Sequence, residues 1–434
     1  MNKIVTGAAI LGMGMAVASC GSNKKIQGCT YPNLKDKTEI QGDGVVVSRN
    51  DELMDPQFLI LSDAQRQLVR KNNQFALNLF QQVSGFDSKV VSPLSITYLM
   101  GMLANGADGQ TQQEIMKVMG ADRGSLSDMN AFYKYLMEYT QKADKSTTLN
   151  LANYIALNKQ YQLKAPFAKT MADYYQAGVE PLDFTTQKTT AHINDWCKRH
   201  TDGMIPNIID QVEPSAVSYI MNAIFFNGSW QDKFDKKETK LERFQGYTRD
   251  IKRVQMMHRN DKIAYLDNDT YAAVSLPYGN GTYRMTVLLP NVGKSIDEMM
   301  KKMDVGTIED MQRKMDDCYV DLKLPRFATE LELPLNDIIG KLGAPTMFTG
   351  EANFSHFADG NFYISKMLQK AKIEVSEEGT KAAAVTAAIM TMAALNPDEP
   401  RHVEFHANRP FVYMITETTT GSILFMGQFT GAEI

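Results

Sequence analysis

Leu68, Phe75, Leu79 and Val83 recur near the spacing of one helix face, which predicts a helix over Asp63–Val83. Ser92 followed by Pro93 has the form of an N-cap and a first helical residue, and Leu99, Met102 and Leu103 continue the buried face of that helix. Thr111-Gln112-Gln113-Glu114 reads as a capping box, with Gly120 ending the helix it starts. Residues 163–177 and 190–200 also carry helical spacing. Further on the period changes. Residues 218–226, 271–276, 283–289 and 319–324 are β-branched or aromatic runs of strand length. Phe411–Glu417 and 422–429 flank a 418–421 turn and predict a hairpin. Helices early and strands late predict an α+β fold with a substantial sheet.

This periodic pattern starts near Asp63 and runs to the end without an internal repeat or a long linker, so residues 63–434 read as one large domain. Residues 20–62 are polar and read as a tether, and residues 1–19 as a leader. Lys3 supplies the positive start, and residues 4–16 are an apolar run too short to span a membrane. The run ends in Val17-Ala18-Ser19-Cys20, which resembles a bacterial lipobox. An ordinary secretory signal is the alternative. The resemblance implies cleavage before Cys20 and acylation of its sulfur. The protein is then expected to be secreted and lipid-anchored to a bacterial outer membrane, on the periplasmic face or the cell surface. Several acyl chains together hold such an anchor stably.

Composition narrows the chemistry. A net charge of −4 with mixed signs and no basic run gives no footprint for nucleic acid. The 27 methionines read as core filler. Cys29, Cys197 and Cys318 have no metal spacing and read as free or buried thiols. His402 and His406 lie four apart, but Val403-Glu404-Phe405 between them reads as strand, so they are taken as surface residues rather than metal ligands. There is no GxSxG, HExxH, P-loop or GxGxxG motif, so no enzyme, metal or cofactor is expected.

The unusual segment follows a strand-like run ending at Val375. It begins Glu377, Glu378, Gly379, Thr380, Lys381, Ala382, Ala383, Ala384 and continues through Val385, Thr386, Ile389, Met390, Thr391, Met392, Ala393 and Ala394. Its alanines permit a helix. Gly379 and the β-formers Val385, Thr386, Ile389 and Thr391 favour an extended chain. A small, nearly uncharged run of this kind tolerates both exposure and burial.

The segment closely resembles the reactive-loop hinge of inhibitory serpins, Glu-Glu-Gly-Thr followed by a variable residue and alanines. Further stretches are similar to that family in order: Val91-Ser92-Pro93-Leu94-Ser95-Ile96, Asn222-Ala223-Ile224-Phe225-Phe226-Asn227-Gly228-Ser229-Trp230, Leu324-Pro325-Arg326-Phe327, Asn408-Arg409-Pro410-Phe411 and Leu424-Phe425-Met426-Gly427. The resemblance implies the serpin fold: helices packed on a large mixed main β-sheet, with further sheets and an exposed reactive loop. It implies a monomer that inhibits serine proteases, with some cysteine proteases also in reach. A protease would cleave the loop, become trapped as an acyl-enzyme, and be displaced as the loop inserts into the main sheet. Trp230 would be structural. Ser92, Ser95, Asn222 and Gln369 would form the region where the sheet opens, with Gln369 standing where serpins often carry His.

Counting sixteen residues on from Glu377, as the family does, places the attacked bond at Ala393–Ala394, with Met392 and Met390 as alternatives. A small or medium apolar bait fits elastase-like pockets first, then chymotrypsin- or subtilisin-like ones, and not a trypsin pocket. Side chains alternate along a strand. If Thr380 faces the interior, Ala382, Ala384, Thr386, Ala388 and Met390 do too, and Lys381 faces out. The alternative is a noninhibitory serpin acting as a binding or structural surface protein.

Overall fold

The computed structural model describes residues 61–431 except 84, 122–125, 141, 249 and 381–399. Cys20, Cys29, Lys381, Ala382, Ala383, Ala384, Met390, Met392, Ala393 and Ala394 lie outside the described residues.

The helices are α1 (Asp63–Val83), α2 (Pro93–Gly106), α3 (Gly109–Val118), α4 (Leu126–Thr140), α5 (Ala165–Tyr175), α6 (Gln187–His200), α7 (Ile296–Met300), α8 (Val305–Lys314) and α9 (Asn336–Leu342). The α1 limits are those expected from its spacing. Ser92 caps α2: its Oγ accepts from the Ser95 amide at 3.3 Å, and Pro93 opens the helix. Almost every residue of α2 is buried, so it is a central helix rather than an amphipathic surface one.

The capping box expected at Thr111 is not there. Helix α3 starts earlier, capped by Asp108, whose carboxylate accepts from the Gly109 amide at 2.7 Å. Thr111 Oγ1 instead accepts from the Asn353 amide, and Glu114 accepts from the Thr346 amide and hydroxyl. Tertiary partners took both side chains of the apparent box.

The strands are β1 (Lys89–Val91), β2 (Thr147–Asn158), β3 (Gly178–Leu182), β4 (Ser218–Ser229), β5 (Lys240–Gln245), β6 (Ile251–Asp267), β7 (Tyr271–Tyr278), β8 (Tyr283–Pro290), β9 (Asp316–Pro325), β10 (Phe327–Pro334), β11 (Leu368–Ser376), β12 (Gly379–Thr380), β13 (His402–His406), β14 (Phe411–Glu417) and β15 (Ile423–Phe429). Among the described residues they make two sheets. One runs β1-β15-β14-β8-β7-β6-β9-β13, with β5 paired to β6. Its hairpin β14–β15 is buried at every position.

The other, the main sheet, runs β10-β11-β12-β4-β2-β3 and is mixed, since β2 and β3 pair in parallel while β2 and β4 are antiparallel. Helices α2 and α5 lie behind its core-facing side and α6 lies on the opposite side, where Ile193, Trp196 and Cys197 pack on Met221 and Ala223. Strand β2 sits early in the chain and departs from the helices-then-strands order. Its second half is buried residue after residue, so its polar–apolar alternation is lost.

Candidate functional site

The hinge residues sit at one end of the main sheet. Strand β11 ends at Ser376, the chain turns through Glu377 and Glu378, and Gly379 and Thr380 return as β12. Gly379 pairs with Ser376 on one side and Ser229 on the other, and Thr380 with Val375 and Gly228. Gly379 has φ +142°, and a Cβ there would stand 2.1 Å from the Gly228 carbonyl oxygen. Only glycine fits both the backbone angle and the approach. Thr380 is buried and faces the core, sharing a 2.6 Å hydrogen bond with the Tyr278 hydroxyl. Burial pushes that phenol well above its ordinary range.

Both hinge acids are held by cations from other elements. Glu377 is 1% exposed, receives a 2.6 Å charge-assisted bond from Arg326 and a 2.7 Å bond from the Thr239 hydroxyl. Burial alone would raise its pKa, but the Arg326 and Thr239 bonds outweigh this and hold the carboxyl below its usual value. Glu378 lies 2.9 Å from both Lys236 and Lys233, which lower its pKa. The backbone is held as well: the Trp230 amide donates to Glu378 O and the Phe234 amide to Glu377 O. Trp230 stacks on Tyr278 at 4.4 Å and donates its indole N–H to Ser376 O.

Strands β4 and β11 are each antiparallel to β12, hence parallel to one another. No ladder joins them directly among the described residues; Gly379 and Thr380 are the positions that pair with both.

Mid-sheet, the four residues of the expected opening region divide into two groups. Gln369 of β11 is buried and grips Ser92: its Oε1 accepts from the Ser92 amide at 3.0 Å and its Nε2 donates to Ser92 O at 2.8 Å. Ser92 Oγ donates to Leu424 O, and the Ser95 amide completes the cap. Asn222 of β4 turns the other way, donating to Asn153 Oδ1 of β2 at 2.7 Å, while Asn153 donates to Tyr175 O at 2.6 Å. No hydrogen bond joins Gln369 to Asn222.

Arg326, Thr239, Lys233, Lys236, Tyr278 and Asn153 were not assigned roles from sequence. Two adjacent glutamates needing counter-charges, and the lysines soon after Trp230, were the available signal. Cys197 and Cys318 are buried free thiols, and burial pushes Cys197 up to about 12. His402 stacks on Tyr319 and His406 pairs with Asp321, and no cluster able to hold a metal occurs among the described residues.

This architecture, two sheets with an acid-rich hinge folding back between two strands of the main sheet, defines a serpin. The serpin (serine protease inhibitor) family model matches residues 70–431, and the chain belongs to that family. It is 32% identical over 379 residues to leukocyte elastase inhibitor A of Rattus norvegicus, covering 83% of this chain and 98% of the relative. It is 31% identical over 375 residues to serpin B6 of Pongo abelii, covering 84% and 99%. Among solved structures it is similar to the thermophilic serpin tengpin in the native state, at 26% identity and TM-score 0.78, covering 88% of this chain and 97% of that one. Serpins of this type are protease inhibitors rather than catalysts.

Proposed function

We propose that this chain inhibits serine proteases by offering the segment after Thr380 as bait and inserting it, once cleaved, between β4 and β11. The observation that carries the reading is the interrupted ladder. Among the described residues, two parallel strands are bridged by Gly379 and Thr380 alone, and the sequence continues from Thr380 into the small-residue run whose even positions suit a buried face. Successive added residues would bond alternately to β4 and to β11. The protease, still esterified to the loop, would be carried along and lose its active-site geometry before water releases it. Such trapping is a kinetic contest between insertion and deacylation.

The apolar bait around Ala393 and Ala394 favours an elastase-like target, as does the likeness to a protein named as an elastase inhibitor. Mixing the protein with an elastase-like protease should give a band of summed mass that survives boiling in detergent. Cleaved protein alone, with protease activity intact, would exclude trapping and favour a noninhibitory role. We also propose that Cys20 carries a lipid anchor to the outer membrane. Cys20→Ala should then release the protein from membranes or block its maturation, and unchanged fractionation would overturn that assignment.

A further inference from the structure

In the hairpin of β5 and β6, Leu241 lies opposite Gln255, Arg243 opposite Arg253 and Gln245 opposite Ile251. All six are exposed, Leu241 at 53% and Ile251 at 54%. Two arginines thus face each other directly across the pair, an arrangement that destabilises a sheet. The other charges of the hairpin are matched. Glu242 takes His258 and Lys323 on the opposite face, Lys240 pairs with Glu238, and Lys252 with Asp250. Arg243 and Arg253 have no ion pair or side-chain hydrogen bond among the described residues.

The strand edge beside them is open. Among the described residues β5 pairs with β6 alone. The Gly246 amide bonds inward to Asp250 O, whereas the Gln245 amide donates outward to Asn408 O. The Gln255 carbonyl likewise accepts from the Arg326 amide, on the β9 side of β6. Leu241, Arg243 and Gln245 therefore belong to the pairs that exchange no bonds with β6, and their backbone groups turn to the edge. Those of Leu241 and Arg243 meet no backbone partner there among the described residues. Such an edge is a template for another extended chain.

We propose that the edge of β5, with Arg243 and Arg253 beside it, is a docking site for an extended acidic segment of a partner protein, added as a further strand. Alternate side chains of that segment share the exposed face. An acid opposite Arg243 would accept its charge-assisted bonds and relieve the repulsion from Arg253. An apolar residue two positions along would cover Leu241. A sulfated glycan would use the arginines but neither the edge amides nor the two exposed aliphatic side chains.

The test uses intact full-length protein and a labelled peptide, acetyl-Val-Thr-Glu-Thr-Glu-Thr-Val-amide, read by fluorescence anisotropy. Arg243→Gln/Arg253→Gln should weaken binding at least about tenfold. The charge-reversed Arg243→Glu/Arg253→Glu should instead bind the peptide with Lys in place of Glu. Proline is tolerated at an edge position whose N–H faces outward, so Leu241→Pro should keep the hairpin but bind about tenfold more weakly than Leu241→Ala. Guanidinium midpoints check folding, and Arg243→Gln should match or exceed wild type. If Leu241→Pro does not fold, the charge exchange decides. Equal binding by folded Leu241→Pro and Leu241→Ala would overturn strand addition. Binding of dextran sulfate but not of the peptide, or of neither, would overturn the site. None of these failures touches the insertion reading, which concerns the cleaved protein.

Discussion

The two sheets of this protein are built to different degrees of completion. In the larger one, β14 is hydrogen-bonded to β8 on one side and β15 on the other, and every residue of β14 and β15 is buried. In the main sheet, among the described residues, β4 and β11 have no ladder between them beyond the hinge. Their side-chain amides are tied back to different helices, Gln369 to the cap of α2 and Asn222, through Asn153, to the end of α5. The central strands of one sheet are paired on both sides and serve as a fixed frame. The other keeps part of its bonding capacity in reserve, and that reserve is where a conformational change can be driven.

The largest effect that could break this contrast is cleavage itself. Each ladder bond contributes about 0.5–1.5 kcal/mol net. A dozen new ones give on the order of ten kcal/mol, which at roughly 1–1.5 °C per kcal/mol for a domain of this size raises Tm by about 10–15 °C. Differential scanning calorimetry of intact and bait-cleaved protein checks this, and an unchanged or lower Tm after clean cleavage would count against a reserve in the main sheet.

Thr380→Arg comes next. Thr380 already sits in the sheet, fully buried against Tyr278. An unpaired charge there costs several kcal/mol, and each 1.4 kcal/mol on the insertion barrier slows that step about tenfold. The variant should be cleaved as a substrate rather than trap protease, while Lys381→Arg inhibits normally. The readout is inhibitor consumed per protease inactivated; near-equal stoichiometry for Thr380→Arg would refute the assigned facing.

Phe425→Ala tests the finished sheet. This side chain is 1% exposed, and its loss should destabilise by about 3–5 kcal/mol. The penalty should be the same in intact and cleaved protein, measured by denaturant midpoints. A penalty confined to one form would show that the frame also changes.

The smallest effect concerns pH, and its sign differs between the regions. Glu377 has a lowered pKa, so its contribution is present above the ordinary carboxylate value of about 4.3 and is lost as pH falls through its folded value. Glu417, buried at the end of β14, has its pKa raised by burial despite bonds from the Thr419 and Thr420 amides. Its native state holds the proton longer, so stability falls as pH rises through that elevated value. Glu377→Gln should therefore weaken the destabilisation seen on acidification, and an acid limb as steep as wild type would argue against the Arg326 pairing.

Much of this was legible in the sequence where local rules decide the outcome. The span of α1, the Ser92 cap and the β14–β15 hairpin follow from spacing and capping residues alone. The α3 cap failed because Thr111 and Glu114 bond to residues more than 200 positions away. β2 escaped because burial on both faces erases alternation. In the site, Glu377, Glu378, Gly379 and Thr380 were recognisable as a motif, but their counterparts were not. Arg326, Thr239 and Tyr278 meet them only through sheet topology, and no local spacing encodes that meeting. Gln369 could be flagged as unusual, whereas its exclusive grip on Ser92 depends on where α2 begins.

The two hinge acids also differ in how open their partnerships are to the solution. Lys236 and Arg326 are 59% and 43% exposed, yet Glu377 is itself buried and keeps a neutral bond from Thr239, while the ion pairs of Glu378 have a water-facing lysine. Screening lengths shrink from about 10 Å at 0.1 M salt to about 3 Å at 1 M. Ionic strength therefore acts on the second acid first. A salt-rich medium would loosen one fastening of the hinge while the other holds, so the surroundings of the molecule grade its readiness to move without any change to its covalent structure.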